Sequence, residues 1–528
     1  MASPEVSTVP SRQPPRTILL AALAVLAVLA VLPVVAAPHL LLLDAPAHEA
    51  RLMVLRDLLI TGRGSPFYDL DTFFLPNVAF DLIGLGLTFF VSPELAGRIF
   101  FASTLLLTAS GVTMLNRVAT GRWSLVPLAS VLLLYNLVSV LGFFSYSFGL
   151  ALVPWALASR LKLEARAPAA GVMAGMLLSV SLLFCHVFAF GIYAIMSAGF
   201  TLTALHQRRI GLGQVLARVL EPVPAALLFL TMSTGSGSRI AYNPEFLSAK
   251  LLGIAKSLTS GSISGDAAFV VGAISFALLL VFCSRPRLVL PFVPGLIALG
   301  ILYFVLPAKM ASGSYVDSRL PIAIALVALA GLDAQFRPAK LTVVLLALFG
   351  AAFLVKQTAI AALWRSFSVP AETFVRALDA LPAGAVILQS KCLPHSGDIM
   401  NVYRARQPAM LHLTSLSNFD NTRFVARLYA ITGQQPIHVS RFYWPYYRLQ
   451  DSFEATCDPS IYRSWVRRIQ ILMWAEKAAG HAVPPLFFVL IRPPADTSLQ
   501  PAARLLSKGA DYALFRIARP GEEHGEFP

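Results

Sequence analysis

Eleven apolar stretches alternate with short polar loops over the first two-thirds of the chain, at 17–43, 95–115, 123–141, 143–159, 169–184, 187–205, 215–232, 267–283, 288–306, 320–335 and 341–362. Runs of this kind predict helices that cross the roughly 30 Å hydrocarbon core of a bilayer. Every second loop is basic: Arg117 and Arg122, then Arg160, Lys162 and Arg166, then Arg208 and Arg209, then Arg285 and Arg287, then Arg337 and Lys340. Cytoplasmic loops collect Lys and Arg, so this alternation predicts a cytoplasmic amino terminus and an outer face on which the acids gather.

A further apolar run, 76–92, is interrupted by Asn77, Asp81 and two glycines. A full crossing there would turn every later basic loop outward. It is therefore expected to dip into the bundle or lie against it, as part of a long outer loop at 44–94. The first run follows Arg12 and Arg16 and exceeds the apolar core of a cleaved signal peptide, which predicts an uncleaved span behind a short cytoplasmic tail, residues 1–16.

Beyond Trp364 polar residues, Pro and turn formers increase. Residues 363–528 are long enough for a separate domain on the outer face. Short β-rich runs at 385–389, 486–491 and 512–517 and helical ones at 373–381 and 462–479 predict a small α/β fold. Two of the four cysteines, Cys392 and Cys457, fall in this domain, where an oxidising compartment permits a bridge.

Composition agrees with the pattern: 57% of residues are hydrophobic and 13% charged, with a mean hydropathy of +0.70. The net charge of +15 is accounted for by the basic loops. No compact basic and aromatic patch accompanies it, which speaks against nucleic acid as a partner.

Candidate chemistry lies on the acid-bearing face. The first span ends in Leu43-Asp44-Ala45-Pro46-Ala47-His48-Glu49-Ala50-Arg51. Pro46 suits a first helical turn, and Leu52, Leu55 and Leu59 recur at helical spacing, which predicts an amphipathic helix over 46–60 along the membrane surface. His48 and Arg51 share one face of it and join Asp44 as candidate catalytic residues, or else are a solvated pair beside a helix-start acid. A carboxylate at the membrane boundary is costly unless solvated or paired, which singles out Asp44. Asp69 and Asp71, two residues apart, form a pair suited to a divalent cation such as Mg or Mn, or else a solvated turn. A second outer loop holds Lys309, Asp317 and Arg319; there Arg and Lys offer a fork and a point charge for phosphate, with Asp317 placed to orient Arg319. Arg218 and Glu221, three apart, are expected to pair.

This order of features resembles the GT-C superfamily of integral membrane glycosyltransferases: a first span, an outer loop opening with Asp44, a helix carrying His48 and Arg51, a later basic outer loop and an extracytoplasmic carboxyl-terminal domain. The resemblance implies a polytopic α-helical membrane bundle of about eleven spans, seated in the inner (cytoplasmic) membrane. It implies hexosyl-type transfer from a polyprenyl-phosphate-linked sugar to a glycan, lipid or protein acceptor, with the loop acid as base or metal ligand. The chain departs from the adjacent acid pair of many members, since Ala45 follows Asp44. Two other classes fit a membrane bundle of this kind: a transporter or flippase of lipid-linked saccharides, and a non-catalytic envelope protein of the same shape.

The topology predicts that a thiol-reactive, membrane-impermeant label added to intact cells modifies Gly397→Cys and spares Arg122→Cys. The reverse pattern, or labelling of both, contradicts it.

Overall fold

The computed structural model describes residues 16–232, 240–243, 245–310, 313–337, 339–392, 406–418, 420–453, 455–494 and 497–519. The expected tail lies outside them except for Arg16, as does Gly397. Among the described residues seven helices are long and apolar enough to cross a membrane: 16–36, 93–120, 168–185, 187–206, 212–231, 263–283 and 340–379. Two shorter apolar ones, Val126–Val140 and Phe292–Val305, lie among them, with Phe144–Arg166 and Leu320–Gly331 completing the bundle. Each of the eleven apolar runs thus contains helix. The twelfth run holds only the nine-residue helix Ala79–Leu87, about 14 Å long and too short to cross.

Three segments differ from the expectation. The first span stops at Ala36, and Leu40, Leu41 and Leu42 continue as buried non-helical chain. Their apolarity reflects packing inside protein rather than contact with lipid. The run 123–141 is not one regular helix; it forms a 3₁₀ stretch, Val126–Leu133, and a single α turn, Leu137–Val140, every residue of which is buried. Irregular backbone at membrane depth must find partners within the protein. Lys356, fully buried on the last long helix, supplies them by donating to the carbonyls of Leu132 at 2.5 Å and Tyr135 at 3.1 Å. Arg218 and Glu221 do not pair, because the chain turns at 220–222 between two short helices. Arg218 bonds Glu164, and Glu221 takes the buried Arg160 at 2.8 Å.

The last long helix, Lys340–Asp379, runs for 40 residues, roughly 60 Å, through Pro370 and into the carboxyl-terminal domain without a break. The predicted span and the predicted first helix of the domain are one element. That domain is built on a five-stranded mixed sheet in the order 503–508, 512–517, 486–491, 386–391, 424–425; the first three strands are mutually antiparallel, and 386–391 is parallel to both its neighbours.

Side chains alternate across the sheet. Ile387, Val489, Ile491 and Leu514 pack with Phe374 and Leu378 of the long helix, in a core continuous with the bundle. Val386, Leu388, Phe488 and Phe515 pack with Tyr462, Trp465, Ile469 and Met473 of the helix Pro459–Ala478. The outer loop joins this second core through Phe67 and Tyr68, and its strand Tyr68–Leu70 pairs antiparallel with Ile437–Val439. Cys392 and Cys457 are bridged, closing a sequence separation of 65.

If Lys356 satisfies the irregular segment, Lys356→Met leaves two buried carbonyls unpaired and lowers the unfolding free energy in detergent by about 2 to 3 kcal/mol. Unchanged stability in a denaturant titration contradicts that role.

Candidate functional site

The helix Ala45–Arg56 starts where Pro46 occupies its first turn, and Asp44 stands before it with no side-chain capping bond. The carboxylate is therefore free to turn elsewhere. The amides of Leu43 and Asp44 bond the carbonyls of Val140 and Leu141, at 2.9 and 3.2 Å. Gly142 closes this contact with φ at +74°, and a Cβ there would stand 2.9 Å from the Asp44 nitrogen. Both the backbone angle and the space demand glycine. From the other side the carboxyl-terminal domain reaches in: Tyr429 Oη donates to Asp44 Oδ1 at 3.2 Å and lies 2.9 Å from His412 Nε2, itself 3.6 Å from the same carboxylate oxygen.

Burial raises the Asp44 pKa to about 7, against the Tyr429 hydrogen bond and the charges of Arg51 and Arg319, which lower it. His412 is pushed down to about 3 by burial and by Arg427 and Lys391, so it is neutral at pH 7. A phenol has one proton. When Asp44 is ionised and accepts that proton, a His412 protonated at Nε2 donates to the Tyr429 oxygen.

The helix over 46–60 was expected on the membrane surface. The α-helix ends at Arg56 and is instead buried on nearly every side, between the bundle helices Ala79–Leu87 and Pro93–Thr120 and the domain segments Arg406–Leu413 and Thr414–Asn418, while the chain continues as a π-helical turn, Asp57–Thr61, on which Leu59 and Ile60 are exposed. Leu52 and Leu55 of its stripe serve a protein interface, and helical periodicity does not distinguish that from a membrane surface. Arg51, 1% exposed, bonds Asp81 Oδ1 at 2.6 Å through Nε and His48 Nδ1 at 2.7 Å through Nη2. An arginine has only donors, so His48 Nδ1 accepts. Burial and Arg51 hold the His48 pKa well below its usual value. His48 and Arg51 thus form a layer behind Asp44 together with Asp81.

Arg319 lies on the same side of the bundle. Its guanidinium stands 4.7 Å from the ring of Phe143, 5.3 Å from Phe188 and 5.7 Å from Tyr146, with Nη1 3.3 Å from His186 Nε2. Burial lowers its pKa to about 10, with Tyr146 and Asp44 opposing, and it stays charged at neutral pH. Asp317 does not orient it. Lys250 takes the Asp317 carboxylate at 2.7 Å and also bonds the Leu306 carbonyl. Lys309 is exposed on a two-residue strand that bridges to Ala241.

Asp69 and Asp71 are engaged in clamping the outer loop to the domain: Asp69 faces His438 at 3.9 Å, and Asp71 accepts from the Gly433 amide at 3.3 Å. Among the described residues no group of three or more His, Cys, Asp or Glu side chains is placed to hold a metal ion. Three residues of the site carried no sequence signal for a functional role. Tyr429 and His412 lie far along the chain from Asp44, and Asp81 stood out only as a flaw in an apolar run.

No protein-family model matches the chain, and no curated protein matches it in sequence. Among solved structures it is similar to ArnT from Cupriavidus metallidurans bound to undecaprenyl phosphate, at 11% identity over 95% of this chain and 97% of that one, with a TM-score of 0.48. The same ArnT in the apo state gives 12%, 95%, 98% and 0.49. The arabinofuranosyltransferase AftD from Mycobacteria gives 13% identity over 96% of this chain and 40% of its own, with a TM-score of 0.42.

Infrared difference spectra across a pH titration test the charge state of Asp44. A protonated carboxyl band should disappear with a midpoint at about 7, be missing in Asp44→Asn, and move to higher pH in Tyr429→Phe, which loses the bond that favours the carboxylate. Since the folded pKa is raised, this group's contribution to stability is full below the unfolded value near 3.8 and is lost as pH rises through about 7. A midpoint near 4 contradicts the assignment.

Proposed function

We propose that this chain is a GT-C-type membrane glycosyltransferase, moving a sugar from a polyprenyl-phosphate donor to an extracytoplasmic glycan, lipid or protein acceptor. The reading includes eleven crossings of the cytoplasmic membrane, an inner amino terminus and an outer carboxyl-terminal domain. The observation that carries it is Asp44: a buried carboxyl with a pKa near 7, held jointly by bundle and domain, with the charged Arg319 close enough to act on it.

Glycosyl transfer needs a base for the acceptor hydroxyl and a cation for the departing phosphate. In this reading the Asp44 carboxylate takes the hydroxyl proton as the acceptor oxygen bonds the anomeric carbon. The bond from that carbon to the phosphate oxygen breaks, and its electron pair leaves on the polyprenyl phosphate. Arg319, caged by aromatic rings, meets that charge, and Lys309 reaches it from the exposed strand. A base with a pKa near the working pH is present as carboxylate in useful amount and still binds a proton well. His48 and Arg51 are positioning residues here, since Arg51 acts on Asp44 through its charge and His48 holds Arg51. The prenyl chain would stay in hydrocarbon while the acceptor arrives from the aqueous side.

Asp44→Asn should abolish turnover while leaving polyprenyl-phosphate binding largely intact, whereas Arg319→Ala should weaken that binding by roughly 1.5 to 3 kcal/mol. Turnover of the parent should rise with pH through about 7 as Asp44 ionises. An Asp44→Asn protein that turns over at the parent rate removes the acid from the mechanism.

A further inference from the structure

His186 is the single residue between the spans Pro168–Cys185 and Val187–His206, and it serves both. Its amide closes the first helix on the Leu182 carbonyl at 2.8 Å. Its backbone is extended, and its ring turns back to cap the second helix, with Nδ1 accepting from the Phe188 amide at 3.1 Å. The first amides of a helix have no partner within it, so a buried helix start depends on such a cap. Turned over, the ring would offer the Phe188 amide a carbon.

That cap decides where the imidazole proton lies. A backbone amide only donates, so Nδ1 must keep its lone pair. Burial and the nearby Arg319 charge hold the His186 pKa well below its usual value, which keeps the ring neutral. A neutral imidazole has one lone pair and one N–H. The hydrogen is therefore on Nε2.

Nε2 faces Arg319. Nη1 of that guanidinium stands 3.3 Å away, and arginine has donors only. Two N–H groups thus meet at hydrogen-bond distance, which is unfavourable until a third atom accepts from both. Tyr146 holds them in this approach: its ring lies 5.2 Å from the imidazole, and its hydroxyl donates to the Arg319 carbonyl at 2.6 Å. Buried and walled by Phe143, Tyr146 and Phe188, the pair has little freedom to turn apart. An anionic oxygen fits the place, since it takes both hydrogens and offsets the guanidinium charge.

We propose that His186 is a second ligand of the donor phosphate, one phosphate oxygen accepting from His186 Nε2–H and Arg319 Nη1 together. The inference rests on the transferase reading and adds a residue to its donor site. His186 gives up no proton. As the bond from the anomeric carbon to the phosphate oxygen breaks, charge grows on the phosphate and both hydrogen bonds strengthen.

The test separates the two ring nitrogens in the full-length protein in nanodiscs, with decaprenyl phosphate as the probe and decaprenol as its phosphate-free control. His186→Asn keeps an acceptor for the Phe188 amide but loses the distal donor. It should retain the parent's thermal stability and bind decaprenyl phosphate roughly tenfold more weakly, the scale of one charged hydrogen bond, with decaprenol unaffected. His186→Gln places an amide N–H near the Nε2 position and gives up the cap, so it should bind the phosphate better than His186→Asn while melting at a lower temperature. In protein with isotopically labelled histidine, the Nε2–H proton resonance of His186 should move downfield on adding decaprenyl phosphate and stay put with decaprenol. The inference is overturned if His186→Asn binds decaprenyl phosphate as the parent does while Arg319→Ala weakens it, which leaves His186 as a helix cap. Should His186→Asn fail to fold, the resonance decides, and one that does not move overturns the inference. Decaprenyl phosphate that is indifferent to Arg319→Ala as well as to His186→Asn sinks the transferase reading itself.

Discussion

The burial of one short helix, Ala45–Arg56, between the membrane bundle and the carboxyl-terminal domain is the constraint on which the rest of the site depends. The bundle comes close to it at two glycines: a Cβ on Gly84 would stand 2.8 Å from Leu52, and one on Gly97 2.7 Å from Glu49. The domain meets it through Tyr429 and His412. So enclosed, its charged groups cannot be left to water. Arg51 is held by Asp81 and His48, and removing one member of a buried pair of this kind typically costs about 3 to 5 kcal/mol. Asp44 responds differently, by holding its proton up to about pH 7. The same enclosure that makes the helix expensive to bury gives its first carboxyl a pKa suited to proton transfer.

The two halves of the molecule are coupled by continuous packing rather than by a hinge. The helix Lys340–Asp379 belongs to both, and one face of the domain's sheet shares a core with the bundle. The outer loop adds a strand pairing and the Tyr68 hydroxyl, which bonds the Val425 carbonyl at 2.8 Å. These contacts fix the domain's side chains relative to Asp44, a condition for any chemistry that draws groups from both.

Much of this was legible in the sequence where the signal is local. Hydropathy located the helical runs, and the parity of basic loops kept 76–92 from being read as a span, as its nine-residue helix requires. The α/β character of the last third and the Cys392–Cys457 bridge followed from composition and from which cysteines share a domain. Where the reading failed, apolarity had a second cause. Residues 40–42 and 126–140 are apolar because protein surrounds them, and Leu52 packs on the bundle helix Ala79–Leu87 and Leu55 in the domain's second core instead of on lipid. Asp317 turned to Lys250, a partner 67 positions away, and the contact between Tyr429 and Asp44 spans 385. Nothing in a local pattern encodes separations of that kind.

The central claim is that Asp44 and Arg319 serve transfer from a lipid-linked sugar. It is tested most directly by incubating the purified protein in nanodiscs with polyprenyl phosphate carrying a radiolabelled sugar, and following the label. The account predicts that label leaves the lipid for an acceptor or for water at a rate that depends on the protein and rises with pH through about 7. Label that stays on the lipid, or crosses the bilayer with the donor intact, contradicts it.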